Sequence, residues 1–98
     1  MRQAMMIGTD METILKTIWT EGGIQAWPFN PGLPTSIYTP VKDLPAENKL
    51  LFDYNPDLAK QMIIDAGYPE GLEVNLYITP HVEVQDTAAL LVDMWEKI

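Results

Sequence analysis

Prolines interrupt the middle of this 98-residue chain so often that no long helix or strand can form there. They stand at five positions between residues 24 and 54: Pro28, Pro31, Pro34, Pro40 and Pro45. Each proline removes a backbone amide donor and holds the residue before it in an extended conformation. We therefore expect a long irregular loop over residues 24–54, which its aromatic and aliphatic side chains pin to a core.

Two helices are predicted before this loop, over residues 2–7 and residues 10–21. The second has apolar residues at helical spacing, which give it one apolar face: Met11, Ile14, Leu15, Ile18 and Trp19. Thr9 and Glu12 have the spacing of a capping box, in which two side chains satisfy each other's free backbone amides. Gly22 begins a pair of glycines that predicts the end of this helix.

A third helix is predicted after the loop, over residues 56–66. Asn55 is a good N-cap, and Pro56 suits the first helical position because its missing amide would be unpaired there anyway. Gly67 follows the last apolar residue and predicts the end of the helix, and Pro69 prevents the helix from resuming.

The last part of the chain predicts a strand over residues 72–79 and a helix over residues 83–98. Four apolar residues alternate with polar or aromatic ones along the strand: Leu72, Val74, Leu76 and Ile78. One strand cannot form a sheet, so its partners come from the Pro-rich loop or from outside these residues. We therefore expect an α/β chain of three to four helices, with a small, incomplete sheet that leaves a strand edge and an apolar patch exposed.

The composition excludes several classes of protein. The net charge is −8, which disfavours a nucleic-acid binder because such a protein needs a cationic face against phosphates. The chain has no cysteine, so disulfides, thiolate catalysis and cysteine-ligated zinc are excluded. No apolar run is long enough to span a bilayer, and the first ten residues lack the pattern of a signal peptide.

No motif for catalysis or metal binding is present in the sequence. His81 is the only histidine and has no partner motif, and Ser36 is the only serine and lacks a GxSxG context. The carboxylate pairs near turns are best explained by capping and solubility: Asp53 with Asp57 and Glu70 with Glu73. We therefore expect a protein that is not an enzyme and needs no metal or cofactor.

Several stretches of the chain resemble family 5 of the extracellular solute-binding proteins, the peptide- and nickel-type binding components of ABC importers. They follow one another in the family's order: residues 2–4, 54–60, 66–71, 72–76 and 94–98. The specific match is the block from Tyr54 to Gly71, which resembles the family pattern YDPxxAKxLLxEAGYPxG. Asn55 stands where the family usually has aspartate, and either residue can cap a helix.

The resemblance implies that residues 1–98 are a single fragment of one ligand-binding lobe of a type II periplasmic-binding-protein fold. The full-length protein would capture a peptide-like or nickel-type solute in the periplasm or extracellular space and deliver it to an ABC permease. It would act without catalysis, either lipid-anchored or free. The resemblance also implies that the Pro-rich loop faces the cleft, where Trp27, Phe29 and Tyr38 would contact the solute. Burial against a small core is the alternative for each aromatic ring.

One other interpretation remains open. The chain could be a stand-alone acidic module that binds a partner protein through its aromatic-bearing loop. In either case a homodimer of the fragment would cover the apolar surface that an incomplete sheet leaves exposed.

Overall fold

A computed structural model of the chain describes residues 1–19, 23, 31–34 and 36–98, and the regular elements among them are helices. Their α-helices are, in chain order, α1 (Arg2–Ile7), α2 (Met11–Ile18), α3 (Ala46–Lys49), α4 (Pro56–Asp65) and α5 (Val82–Trp95). Two 3-10 turns flank α3, over Val41–Asp43 and Leu50–Phe52. The described residues include no strand, so the predicted α/β class and its small sheet are not confirmed.

Small residues bring α1 and α4 into close contact at the centre of the core. Ala4 and Ala59 are both 0% exposed, and Ile63 is buried beside them. A Cβ atom on Gly8 would lie 3.2 Å from the Cβ of Ala59, so only a residue without a side chain fits there without displacing its neighbours. The amide of Asn55 donates to the carbonyl of Ile7 at 3.0 Å and ties the start of α4 to the end of α1.

The predicted capping box at the start of α2 is wrong. Asp10 is the N-cap, and its Oδ1 accepts a hydrogen bond from the Thr13 amide at 2.9 Å. The Thr9 hydroxyl donates instead to the carbonyl of Met5 at 2.7 Å. Because the N-cap is one residue later than predicted, Glu12 falls outside the capping position and pairs with Lys16 at 2.6 Å.

The second helix is also shorter than the predicted span of residues 10–21. It ends at Ile18, and Trp19 is its C-cap, whose amide donates to the carbonyl of Leu15 at 3.0 Å. Gly22, which was predicted to end the helix, lies outside the described residues.

Two partly buried hydrogen bonds join the α1–α2 junction to α5. The indole Nε1 of Trp95 donates to the Thr9 hydroxyl at 2.9 Å, and the Asp10 amide donates to the sulfur of Met94 at 3.3 Å. Thr9 and Met94 are both buried. The Thr9 hydroxyl therefore accepts one hydrogen bond and donates another, which satisfies it inside the core.

The prediction of an irregular segment throughout residues 24–54 is only partly correct. The carbonyls of Pro34, Pro40 and Pro45 each accept the first backbone hydrogen bond of a turn, at 2.8 to 2.9 Å. Proline fixes its own φ and has no amide to lose at such a position, so it starts a helical turn instead of breaking one. Spacing alone did not distinguish these two effects.

The caps predicted for α4 are confirmed. Asn55 Oδ1 accepts from the amide of Leu58 at 3.0 Å. At the other end, the amides of Gly67 and Tyr68 donate to the carbonyls of Ile64 and Ile63 at 2.9 and 3.2 Å. This pair of bonds is a Schellman motif, and Gly67 has the positive φ of 95° that the motif requires.

Residues 72–79, the predicted strand, form a single extended segment that lies along α5. Within the described part of the chain, no backbone hydrogen bond involves residues 72–80. The alternating pattern determines which side of this segment is apolar. A strand also needs a neighbouring strand with which to form backbone hydrogen bonds. The part of the chain that the structure describes therefore contains neither the predicted strand nor a sheet, and the exposed strand edge stays a prediction.

Candidate functional site

An apolar groove lies between α5 and residues 72–79. We call it the α5 groove, and its apolar lining is Trp19, Leu76, Ile78, Val84, Ala88 and Leu91. It has a volume of about 260 Å³. Its size and lining suit an apolar group, because concave binding sites are generally lined with aliphatic and aromatic side chains.

Two periodicities build the α5 groove. Alternation along the extended segment places Leu76 and Ile78 on the side facing α5, while Tyr77 is 90% exposed on the other side. Helical spacing places Val84 and Leu91 on the facing side of α5. Both patterns are visible in the sequence, which is why the facing residues could be predicted.

Trp19 was not predicted as part of a site, because the sequence assigned it to the apolar face of α2. It is the C-cap of that helix, and it lines the α5 groove while remaining 52% exposed. A large aromatic residue at the end of a helical pattern, just before a pair of glycines, is the signal that could have indicated this position.

The polar residues of the α5 groove carry no reactive arrangement. The Thr87 hydroxyl donates to the carbonyl of Glu83 at 2.7 Å, so it is satisfied within its own helix. No buried side-chain oxygen or nitrogen in the described part of the chain lacks a hydrogen-bond partner. The groove can bind apolar surface, and its residues offer no nucleophile paired with a base.

A second, more polar cleft lies beside the start of α2. Asp10, Glu12, Asp53 and Tyr54 contribute to its lining, and its volume is about 400 Å³. The hydrogen bond from the Thr13 amide lowers the pKa of Asp10, which marks that carboxylate as a helix cap. Among the residues that the structure describes, no group of three or more His, Asp or Glu side chains could hold a metal ion.

His81 stands immediately before α5, and its backbone begins that helix. Its carbonyl accepts from the amides of Val84 and Gln85 at 3.1 and 3.0 Å, and its side chain is exposed. His81 is therefore an exposed residue at the N-cap of α5.

Of the three aromatic residues predicted to contact a solute, the structure places one. Tyr38 is half-buried, and its amide donates to the carbonyl of Pro34 at 3.0 Å. Trp27 and Phe29 lie outside the described residues. The prediction that these three rings meet at one ligand site therefore stays a prediction.

No described helix is both long and apolar enough to cross a membrane, and α5, the longest, has 14 residues.

Comparison with known proteins places the chain in a family. The model for bacterial extracellular solute-binding proteins, family 5, middle region, matches residues 1–98. Heme-binding protein A of Haemophilus influenzae is 30% identical over 105 residues, which cover 99% of this chain and 17% of that protein. The chain thus spans about a sixth of the length of this curated relative. No solved structure matches the chain.

The family match extends over every residue that carries the resemblance seen in the sequence, from the start of α1 to the end of α5. The family resemblance is therefore confirmed at full length, and the chain belongs to the family 5 bacterial extracellular solute-binding proteins.

Proposed function

We propose that this chain forms part of one ligand-binding lobe of a non-catalytic protein that captures a small solute outside the cytoplasm for an ABC importer. The observation that carries the proposal is the family match over residues 1–98. Proteins of this family bind solutes, and a binding protein delivers its solute when two lobes close around it and a permease recognises the closed form.

We propose a peptide-like solute as the leading candidate. A nickel complex is the alternative solute within the same proposal. An open apolar groove supports a solute with apolar side chains or an apolar ring, because burying such surface favours binding. The net charge of −8 disfavours a strongly anionic solute, which the field of the chain would repel.

Heme is the second candidate, and the relative named as a heme-binding protein favours it. Heme is a flat, largely apolar ring that suits an aromatic-lined site. Its two carboxylates would have to be held by cations, and the chain contains only six lysine and arginine residues. A peptide, which carries its own amino terminus, fits an acidic protein better.

The experiment is calorimetry on the longer polypeptide that contains these 98 residues. Tri- and tetrapeptide mixtures, a nickel chelate and hemin are titrated separately. The proposal expects saturable, one-site binding of a peptide. Saturable binding of hemin alone would replace the first candidate by the second, and binding of none of the three would contradict the solute classes proposed.

The predicted aromatic contacts are tested in the same polypeptide. We expect Trp27→Ala and Tyr38→Ala each to weaken peptide binding by about 10- to 100-fold, since buried aromatic contacts at binding sites are worth about 1.4 to 2.7 kcal/mol. Tyr77→Ala is the matched control, because this ring is 90% exposed on the side away from the α5 groove. Equal affinities for all three variants would show that the aromatic rings of the loop do not touch the solute.

A further inference from the structure

Two adjacent residues of α5 hold the α1–α2 junction, and we call this pair of contacts the α5 joint. The Asp10 amide donates to the sulfur of Met94 at 3.3 Å, and the indole of Trp95 donates to the Thr9 hydroxyl at 2.9 Å. Met94 is 6% exposed, whereas every other methionine of the chain is partly exposed. The α5 joint therefore contains a buried, hydrogen-bonded thioether that the solute-binding proposal does not use.

We propose that Met94 is an oxidation site through which peroxide opens the α5 joint. A lone pair of the sulfur attacks one oxygen of hydrogen peroxide. The S–O bond forms as the O–O bond breaks, the sulfur gives up two electrons, and the other oxygen leaves with both hydrogens as water. The product is methionine sulfoxide. The proposal rests on the proposed function only for its setting, because the space outside the cytoplasm is an oxidising one.

The closed α5 joint protects the sulfur from peroxide. The Asp10 amide occupies one side of the thioether, and the surrounding residues bury the rest of the side chain. Peroxide therefore reaches Met94 when the joint opens, and the rate of oxidation follows the population of the open form. The bond from Trp95 to Thr9 holds the same joint closed, so its loss raises that population without any change at the sulfur.

The sulfoxide does not fit the closed α5 joint. A hydrogen bond needs about 2.7 to 3.2 Å between its heavy atoms, so an oxygen inserted between the sulfur and the Asp10 nitrogen requires more than the 3.3 Å available. An oxygen turned away from Asp10 buries a polar atom that needs a new hydrogen-bond partner. In both orientations the oxidised side chain weakens the contact between α5 and the α1–α2 junction.

Mass spectrometry of the 98-residue chain in dilute hydrogen peroxide tests the protection of the sulfur. Met62 is the internal reference, because it is partly exposed on α4. We expect Met94 to be oxidised at least about tenfold more slowly than Met62. Thr9→Val removes the acceptor of the Trp95 indole and is expected to speed oxidation of Met94 about two- to tenfold, since one net hydrogen bond is lost. Thr17→Val, at an exposed threonine of α2, is the matched control and is expected to keep the wild-type rate.

Urea denaturation before and after peroxide treatment tests the effect of the sulfoxide. Met94→Leu keeps an apolar side chain of similar volume and cannot be oxidised at this position. The remaining methionines are oxidised in both proteins, so the difference between them reports on Met94. We expect oxidation to raise the equilibrium constant for unfolding at least about fivefold more in the wild type than in Met94→Leu.

Each measurement has an outcome that would overturn the proposal. Equal oxidation rates at Met94 and Met62 would show that the sulfur is not protected. A Met94 rate that Thr9→Val leaves unchanged would show that the α5 joint does not control access to it. An equal loss of stability in the wild type and in Met94→Leu would show that the sulfoxide does not open the joint. No solute takes part in these measurements, so their failure is distinguishable from a failure of the proposed function.

Discussion

Asp10 shows how one side chain makes the start of a helix sensitive to pH. Its two carboxylate oxygens accept hydrogen bonds from the amide and the hydroxyl of Thr13, at 2.9 and 2.7 Å. The bond from the amide is the main cause of a pKa below the ordinary value of 3.8. The folded chain therefore binds this proton more weakly than the unfolded chain does. The carboxylate stabilises the fold above pH 3.8, and that contribution is lost as the pH falls below it.

We expect Asp10→Asn to reduce this acid sensitivity, because asparagine can cap α2 but cannot take up the proton. Between about pH 5 and pH 3, the free energy of unfolding should fall less steeply in Asp10→Asn than in the wild type. Urea denaturation at each pH measures the slopes. Asp86→Asn, which changes an exposed carboxylate on α5, should keep the wild-type slope. Identical slopes for wild type and Asp10→Asn would contradict this account of the cap.

The residues at which helices begin and end were easier to predict than the contacts between helices. The start of α4 at Asn55 and its end at Gly67 follow from local hydrogen bonds, which the residue types indicate directly. The start of α2 was placed one residue too early, because Thr9 and Asp10 are both good N-caps. The Thr9 hydroxyl instead donates to the carbonyl of Met5 and accepts from Trp95, which is 86 residues away and which no local pattern indicates.

The contact between Trp95 and Thr9 joins α5 to the α1–α2 junction, and a double-mutant cycle can measure it. Trp95→Phe and Thr9→Val each remove one partner and keep most of the shape. We expect a coupling free energy of about 0.5 to 1.5 kcal/mol, the usual net value of a partly buried hydrogen bond.

Thr17 provides the control for that cycle. It is an exposed threonine on α2, so Trp95→Phe combined with Thr17→Val should show a coupling near zero. If the two cycles gave the same coupling free energy in urea denaturation, the hydrogen bond would not be what joins these elements.

The short turns between α2 and α4 illustrate a limit of pattern reasoning at the level of elements. Prolines predict that no long helix or strand forms there, and within the described residues 31–34 and 36–54 the one α-helix, α3, has four residues. The same residues are the N-caps of short helical turns at Pro40 and Pro45, a position at which no amide hydrogen bond is lost. The positions of prolines in a sequence do not distinguish a proline that ends one element from a proline that begins the next.

At the scale of the whole molecule, the sequence suggests a sheet but does not specify how its strands pair. Alternation along residues 72–79 predicts which side of the segment is apolar, and two residues of that side, Leu76 and Ile78, line the α5 groove. Pairing of that segment depends on residues distant in sequence, and no local signal specifies them. The candidate solute contacts have the same difficulty, since Trp27, Phe29 and Tyr38 are linked to a cleft only through the family resemblance.

The central claim is that these residues bind a solute as part of a larger cleft. The curated relative is about six times as long as the chain, so in the proposed binding protein most of the surface that encloses a solute would lie outside residues 1–98. A site that encloses less of its ligand buries less apolar surface and binds more weakly. The 98-residue chain alone should therefore bind the solute of the longer polypeptide poorly.

Calorimetry of the two forms with the same solute is the most direct test. We expect the longer polypeptide to bind a peptide in a single saturable step and the 98-residue chain to bind it at least about 100-fold more weakly, a difference of about 2.7 kcal/mol. An equal dissociation constant for the two forms would contradict the claim, because the chain would then contain the whole site.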